Sequence, residues 1–359
     1  MNQLTVRASP SADRSPVRVP RAVAAVAAVP LSLGLSSRTA HAAGFPLQYL
    51  VTSGPRGVSG LLWFLLLLSI FVVVVILVLT TWGVLARRSQ ADAVAAEPVG
   101  HGSSTGTMWI YVGTGLTIVA LTVSVAWTAV TMAETDQPAT RPQITIAVRA
   151  WQWWWDVTYK DPADPSRSFR TANEIHIPAG QPVRFELTTG DVIHSFWVPA
   201  LGGKTDTIPG QTNLTWLKAD KPGVYRGQCT EYCGEEHALM GLIVFADRPA
   251  DYQKWVDAQL ALAPAPKTDA ERQGEQDFLT KCATCHTVRG TSAGGTTGPD
   301  LTHLMSRTTI AAATLPNNVG NLSGWIANPQ AIKPGNKMPN LDLSGPQLAS
   351  IRQYLLTLK

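Results

Sequence analysis

Residues 57–86 carry no charged side chain, and this run constrains the fold more than any other feature of the chain. It contains Leu61-Leu62-Trp63-Phe64-Leu65-Leu66-Leu67-Leu68 and Phe71-Val72-Val73-Val74-Val75-Ile76. An apolar stretch of about 20 residues is long enough to cross a bilayer as a helix. Residues 108–132 form a second uncharged run, weakened by its Gly, Thr and Ser. Small residues of this kind suit close helix–helix contacts in lipid. Together the runs predict a two-helix transmembrane hairpin; a buried helix of a soluble core is the alternative.

A different apolar stretch lies ahead of them. Arg7, Arg14, Arg18 and Arg21 precede residues 22–35, and Ala40-His41-Ala42 offers a small-residue cleavage pattern, so residues 1–42 read as a secretory signal peptide. Its long basic start and Pro30 leave an uncleaved segment open. The same residues carry five Arg and one Asp, while the whole chain is only +4, so the remainder is near neutral. The basic pI of about 8.9 therefore gives no pointer to nucleic acid. Arg87 and Arg88 directly follow the first run and mark the connecting loop as cytoplasmic, which puts everything after the second run outside. The anchor is expected over residues 43–137.

The densest chemistry lies in Cys229-Thr230-Glu231-Tyr232-Cys233 and the following Gly234-Glu235-Glu236-His237-Ala238-Leu239-Met240. Two thiolates, an imidazole and a thioether within one loop are soft donors of the kind copper selects. A further imidazole stands upstream in Asp191-Val192-Ile193-His194. Two sulfurs exceed what a single blue copper needs, so the pattern points to a pair of coppers bridged by sulfur, an electron-transfer site. Three other readings compete. A Cys229–Cys233 disulfide would leave His237 and Met240 unexplained. Zinc on Cys2His2 would leave Met240 without a role. A lone blue copper on His194, Cys233, His237 and Met240 would leave Cys229 idle.

C-x3-C-x3-H-x2-M after an upstream His resembles the binuclear copper (CuA) centre of subunit II of haem–copper cytochrome c oxidases. The resemblance implies Cys229 and Cys233 as bridging ligands. His194, His237, Met240 and the Glu231 carbonyl complete the set. It also implies a magnesium at the border with subunit I, held through the Glu231 side chain. In that family the second span often begins with a Glu near a proton channel. The nearest one here, Glu97, lies well before Met108, so no proton role is carried over.

Lys281-Cys282-Ala283-Thr284-Cys285-His286 holds the C-x-x-C-H pattern of covalent haem attachment. A redox C-x-x-C or a chance match is the alternative. Gly298-Pro299-Asp300-Leu301 follows, and Asn336-Lys337-Met338-Pro339 comes later. That order resembles a class I cytochrome c. The resemblance implies Cys282 and Cys285 as haem tethers, with His286 and Met338 as axial ligands. His/Met ligation raises a haem's potential. Met305 is the rival methionine, but Leu301-Thr302-His303-Leu304-Met305 reads as a helix with Met as core filler. His303 reads as a surface or core side chain.

Between these motifs lie short strand patterns. Residues 143–149 alternate, residues 183–188 repeat the pattern, and residues 242–245 form a short apolar run, with Pro/Gly turn signals between them. They predict a β-sandwich over residues 138–248, cupredoxin-like given the metal donors. Trp151-Gln152-Trp153-Trp154-Trp155-Asp156 is rich in aromatics. Core packing is the plain reading; the oxidase resemblance implies Trp153 as the residue through which electrons arrive. Strand alternation would place Trp153 and Trp155 on one face and Trp154 on the other.

Residues 249–268 read as a Pro/Ala linker, and residues 269–359 as an all-α cytochrome c module whose last helix Ser344 caps. Residues 141–247 carry 10 basic and 12 acidic side chains and residues 269–359 carry 8 and 6, which gives docking little electrostatic support. A short tether matters more, since it makes the encounter intramolecular at roughly millimolar effective concentration.

The expected architecture is multidomain: a transmembrane hairpin, a cupredoxin-like sandwich and a class I cytochrome c domain. The resemblance implies an electron-transfer subunit of a bacterial inner-membrane oxidase, with both metal domains on the periplasmic side. Its implied partners are subunit I, other membrane subunits, the membrane, and cytochrome c or another donor. A copper-bearing subunit of a nitric oxide reductase and a free-standing membrane electron carrier are the alternatives.

Overall fold

The computed structural model describes residues 56–86, 104–161 and 163–359. The expected signal peptide, Arg87, Arg88 and Glu97 lie outside the described residues.

Both uncharged runs form single helices, α1 (Arg56–Leu85) and α2 (Ser104–Asp136), each long and apolar enough to cross a membrane. Their apolar side chains stay exposed along the length, as lipid-facing groups would. The weaker second run satisfies several of its hydroxyls within the helix. Thr117 donates to the Gly113 carbonyl at 2.9 Å, Thr122 to Ile118 at 2.8 Å and Ser124 to Ala120 at 2.7 Å. This removes the cost of bare hydroxyls in hydrocarbon. The helices meet through Phe64 and Trp127, whose ring centroids lie 5.1 Å apart. The end of α2 is fastened to the next module by Trp216, whose Nε1–H donates to the Thr135 carbonyl at 3.1 Å.

Ten strands build the sandwich. One sheet holds β1 (Ile144–Trp151), β2 (Trp154–Lys160), β3 (Phe169–Ala172), β5 (Val183–Thr189) and β8 (Asn213–Leu217). The other holds β4 (Glu174–Pro178), β6 (His194–Trp197), β7 (Thr205–Thr207), β9 (Gly223–Cys229) and β10 (Gly241–Asp247). β1–β5 and β4–β10 are parallel pairs among otherwise antiparallel ones, which is a cupredoxin-like arrangement. Val148, Trp155, Phe185, Leu187, Phe196 and Val244 fill the space between the sheets. The tryptophan cluster is a correction to the strand reading. Trp151 pairs with Trp154, so Gln152 and Trp153 form a two-residue hairpin corner. Burial still alternates there, with Trp153 and Trp155 buried and Trp154 half-buried.

The expected linker is only partly one. Its first part folds as helix α3 (Pro249–Leu260) and packs on the sandwich, with Trp255 stacked on His176 at 4.1 Å. Residues 261–267 are irregular.

The C-terminal module is helical. It comprises α4 (Asp269–Lys281), α5 (Val319–Ala327), α6 (Pro329–Ile332) and α7 (Gly345–Leu355), with a two-residue ladder of β11 (Thr309–Ile310) and β12 (Leu315–Pro316). Thr268 and Ser344 form capping boxes with Glu271 and Gln347, which fixes the starts of α4 and α7. The two helices cross at Gly274, where a Cβ would come within 2.0 Å of the Ser350 carbonyl oxygen. Only glycine permits that approach. The helix expected at residues 301–305 is instead a single 3₁₀ turn, Leu304–Ser306. Asp300 pulls the preceding backbone out of helical geometry by accepting from the Thr302 N–H at 2.8 Å.

Candidate functional site

His194 opens β6 and Cys229 closes β9, and these strands are neighbours, with Phe196 paired to Cys229. Cys233, His237 and Met240 sit on the loop from β9 to β10. Its base is closed by the Cys229 N–H donating to the Met240 carbonyl at 3.0 Å. The six predicted donors converge. The two Sγ atoms lie 3.8 Å apart. Cys229 Sγ is 3.9 Å from His194 Nδ1 and 3.3 Å from the Glu231 carbonyl oxygen. Cys233 Sγ is 3.4 Å from His237 Nδ1 and 3.9 Å from Met240 Sδ. Neither cysteine is in a disulfide. Two buried sulfurs, two imidazole nitrogens and a thioether make a soft donor set that fits copper, and the thioether counts against zinc. The Glu231 side chain is half-buried and faces Lys204 at 3.7 Å.

Asp191 completes the arrangement, and the ligand pattern did not single it out. Its Oδ1 lies 2.8 Å from His194 Nε2. A carboxylate only accepts, so Nε2 carries the proton and Nδ1 presents its lone pair to the sulfurs. Burial opposes ionisation of Asp191. Hydrogen bonds from His194, the Gln152 and Val192 N–H groups and Lys337 outweigh it and hold the carboxyl well below the usual range. Burial also opposes charge on His194, yet Asp191 and Cys229 raise its pKa on balance. The two thiols are driven apart. The Cys233 hydrogen bond pulls Cys229 down, and that same bond, with burial, pushes Cys233 up. An Asp three residues before the His was the available signal.

The second site is a cavity lined by Cys282, Cys285, His286, Met338, Leu322 and Trp325 of the helical module and by Trp153 of the sandwich. His286 Nδ1 lies 2.9 Å from the Pro299 carbonyl, which makes Nδ1 the donor and leaves Nε2 free to ligate. Burial lowers the His286 pKa, which favours the neutral ring a metal needs. Met338 is positioned by its own backbone, its N–H donating to Asn336 Oδ1 at 2.9 Å and its carbonyl accepting from Gln330 at 2.8 Å. Met305 packs in the helical core and is not among the lining residues. His303 is buried, its ring nitrogens 2.8 Å and 3.1 Å from the Lys359 and Ala261 carbonyl oxygens. Two free cysteines, a pre-oriented imidazole and a thioether lining one cavity with apolar walls fit a c-type haem.

Gly298 is required by that imidazole. A Cβ at this position would lie 2.7 Å from His286 Cε1 and 2.9 Å from Nδ1. Gly298→Ala should turn the ring off the Pro299 carbonyl and cost about 1–3 kcal/mol through overpacking. A haem absorption spectrum and melting temperature identical to the parent's would contradict this.

Trp153 links the two sites. It is 8% exposed, lines the haem-sized cavity, and donates from Nε1 to the Cys233 carbonyl at 3.1 Å. Charged residues also join the modules, and none was predicted. Glu174 accepts from the N–H and hydroxyl groups of Thr308 and Thr309 at 2.7–3.1 Å. Lys337 pairs with Asp191 Oδ2 at 3.2 Å. Lys333 is buried, and burial pushes its pKa down to about 8.

Residues 163–246 match the family described as cytochrome c oxidase subunit II, periplasmic domain, and residues 272–359 match the cytochrome c family. A protein called cytochrome c oxidase subunit 2 from Alkalihalophilus pseudofirmus is 42% identical over 218 residues, covering 60% of this chain and 61% of the relative. The chain carries a domain of the cytochrome c oxidase subunit II periplasmic family followed by one of the cytochrome c family. The subunit II protein of Bacillus sp. strain PS3 is 34% identical over 236 residues, with 62% of this chain and 65% of the relative covered. This chain thus spans less than two thirds of the length of these curated relatives. The crystal structure of the periplasmic domain of subunit II (CoxB) of Bradyrhizobium japonicum is 32% identical, covers 34% of this chain and 96% of that domain, and has a TM-score of 0.32. A subunit II domain implies copper, a cytochrome c domain implies haem, and the combination implies electron transfer.

Proposed function

We propose that this chain is the electron-receiving subunit of a respiratory cytochrome c oxidase anchored in the bacterial inner membrane by two spans, both metal domains lying on the periplasmic side. When bound, a covalent haem c and a copper pair supply one-electron carriers that feed subunit I, where this family reduces oxygen to water.

The convergence of His194, Cys229, Cys233, His237, Met240 and the Glu231 carbonyl is the single observation that carries this reading. In it, Cys229 and Cys233 hold the copper pair between them. Asp191 keeps His194 in the tautomer that ligates. Cys282 and Cys285 fix the haem edge, His286 and Met338 ligate its iron, and Pro299 orients His286. Trp153 excludes water between the sites and spans them, one edge on the cavity and its Nε1–H on the Cys233 carbonyl. The donor is a cytochrome c or a related carrier, and the Glu231 carboxylate is assigned to a magnesium shared with subunit I.

Purification from native membrane tests the reading. The expected result is a pair of coppers and a covalent haem on this chain, together with a many-span subunit and oxygen uptake. Zinc or a single copper would refute the site. Nitric oxide reduction, or isolation without any partner, would move the chain to one of the alternatives.

A further inference from the structure

Lys333 has no part in that chemistry, yet it is among the most enclosed charges in the chain, at 2% exposure. Its ammonium group donates to the Trp153 carbonyl at 2.9 Å, the Leu239 carbonyl at 3.0 Å and the Ala311 carbonyl at 3.5 Å. A buried ammonium is tolerated only where hydrogen bonds replace its water. Two of these three acceptors come from the sandwich, one on the candidate ligand loop and one beside it. Leu239 precedes Met240, and Trp153 holds the Cys233 carbonyl through Nε1. We propose that Lys333 is a positioning residue that locks the haem module onto the copper loop, so that the module is a fixed donor and not one swinging on a tether.

The facing surface supports this independently. Ala311, Ala312 and Ala313 have φ of 54°, 60° and 58°, and the Thr314 N–H donates to the Ile310 carbonyl at 3.2 Å. Three successive alanines thus make a left-handed turn, which L-residues avoid because Cβ crowds the following carbonyl. Such strain persists where the surroundings over-determine it. Two of the alanine carbonyls are taken by the sandwich, Ala312 by the Gly241 N–H at 3.1 Å and Ala313 by Arg226 at 3.4 Å, while Ala311 accepts from Thr314 and Lys333 of its own module. The turn is thus held in the docked state, and undocking would free the Ala312 and Ala313 carbonyls while leaving the strain. Glu174 closes the far side on Thr308 and Thr309.

The test uses the full-length chain with a protease site placed within residues 261–267, purified in detergent and then cut. The haem-bearing piece should co-elute with the remainder on size exclusion. Lys333→Met should weaken that retention by about 10-fold to 100-fold, the loss expected for a hydrogen-bonded charge, and Lys333→Arg should restore part of it. In the uncut Lys333→Met protein the copper potential should fall, because a positive charge beside the sulfurs has gone; a purely structural role would not move it. Only this last readout rests on the copper reading, and the retention readout stands without metal. Prompt separation of the cut parent protein would overturn the proposal, as would full retention in Lys333→Met with an unchanged potential. Should Lys333→Met not fold, the Thr308→Ala, Thr309→Ala double variant loosens the same interface from its far side, and full retention there would also overturn the proposal.

Discussion

Cys229→Ser is expected to abolish the spectrum of an electron shared between two coppers, and Cys233→Ser to do the same. Cys233 Sγ is the hub of the site, within 3.9 Å of Cys229 Sγ, His237 Nδ1 and Met240 Sδ. Serine matches cysteine in shape but offers a hard oxygen at a shorter reach, so the soft bridge is lost while the fold should survive. Cys229→Ser is the sharper of the two. A mononuclear copper on His194, Cys233, His237 and Met240 would keep its metal and its colour in that variant. Copper analysis with electron paramagnetic resonance reads the difference, and an unaltered spectrum in Cys229→Ser would exclude the bridged pair.

Trp153→Ala should both destabilise the sandwich and slow electron transfer from haem to copper. Route and core packing began as rival readings of this residue, but the side chain occupies both roles. It belongs to the buried cluster between the sheets and also lines the haem-sized cavity. Truncating a buried Trp costs about 3–5 kcal/mol. The alanine variant therefore cannot isolate the route. Trp153→Phe can, because it keeps most of the packing and deletes the Nε1–H bond to the Cys233 carbonyl. Transfer after flash photoreduction of the haem should be slower in the phenylalanine variant while both metal spectra remain. A parental rate in that folded, metal-loaded variant would exclude Trp153 as the link.

The metal donors were legible because ligand chemistry is local. A loop of twelve residues holds Cys229, Cys233, His237 and Met240, and C-x-x-C-H sets two candidate haem tethers beside an imidazole within five residues. The long helices were legible because uncharged length has few solutions. The strands were read only where a pattern showed: β1 and β5 alternate and β10 is an apolar run, whereas β3, β6 and β7 are too short to show a period. The hairpin corner at Gln152–Trp153 was hidden because tryptophans look like strand residues at any position. The interface was invisible for another reason. Lys333 and Glu174 have partners 94 or more residues away in sequence among their cross-module bonds. An isolated Lys or Glu reads as solvated surface until those partners are known. Asp191 could have been found from its spacing to His194.

Asp191 also sets a rule for anyone who would re-engineer this chain. Its Oδ1 serves His194 while its Oδ2 serves Lys337, the residue before Met338. One carboxylate is thus a shared component, and altering it changes the copper side and the haem side in a single stroke. Separating the modules for study, or grafting a different cytochrome onto this sandwich, should leave position 191 alone. A replacement module should in turn carry the groups that meet the sandwich, Lys337 for Asp191 and Lys333 for the Trp153 and Leu239 carbonyls.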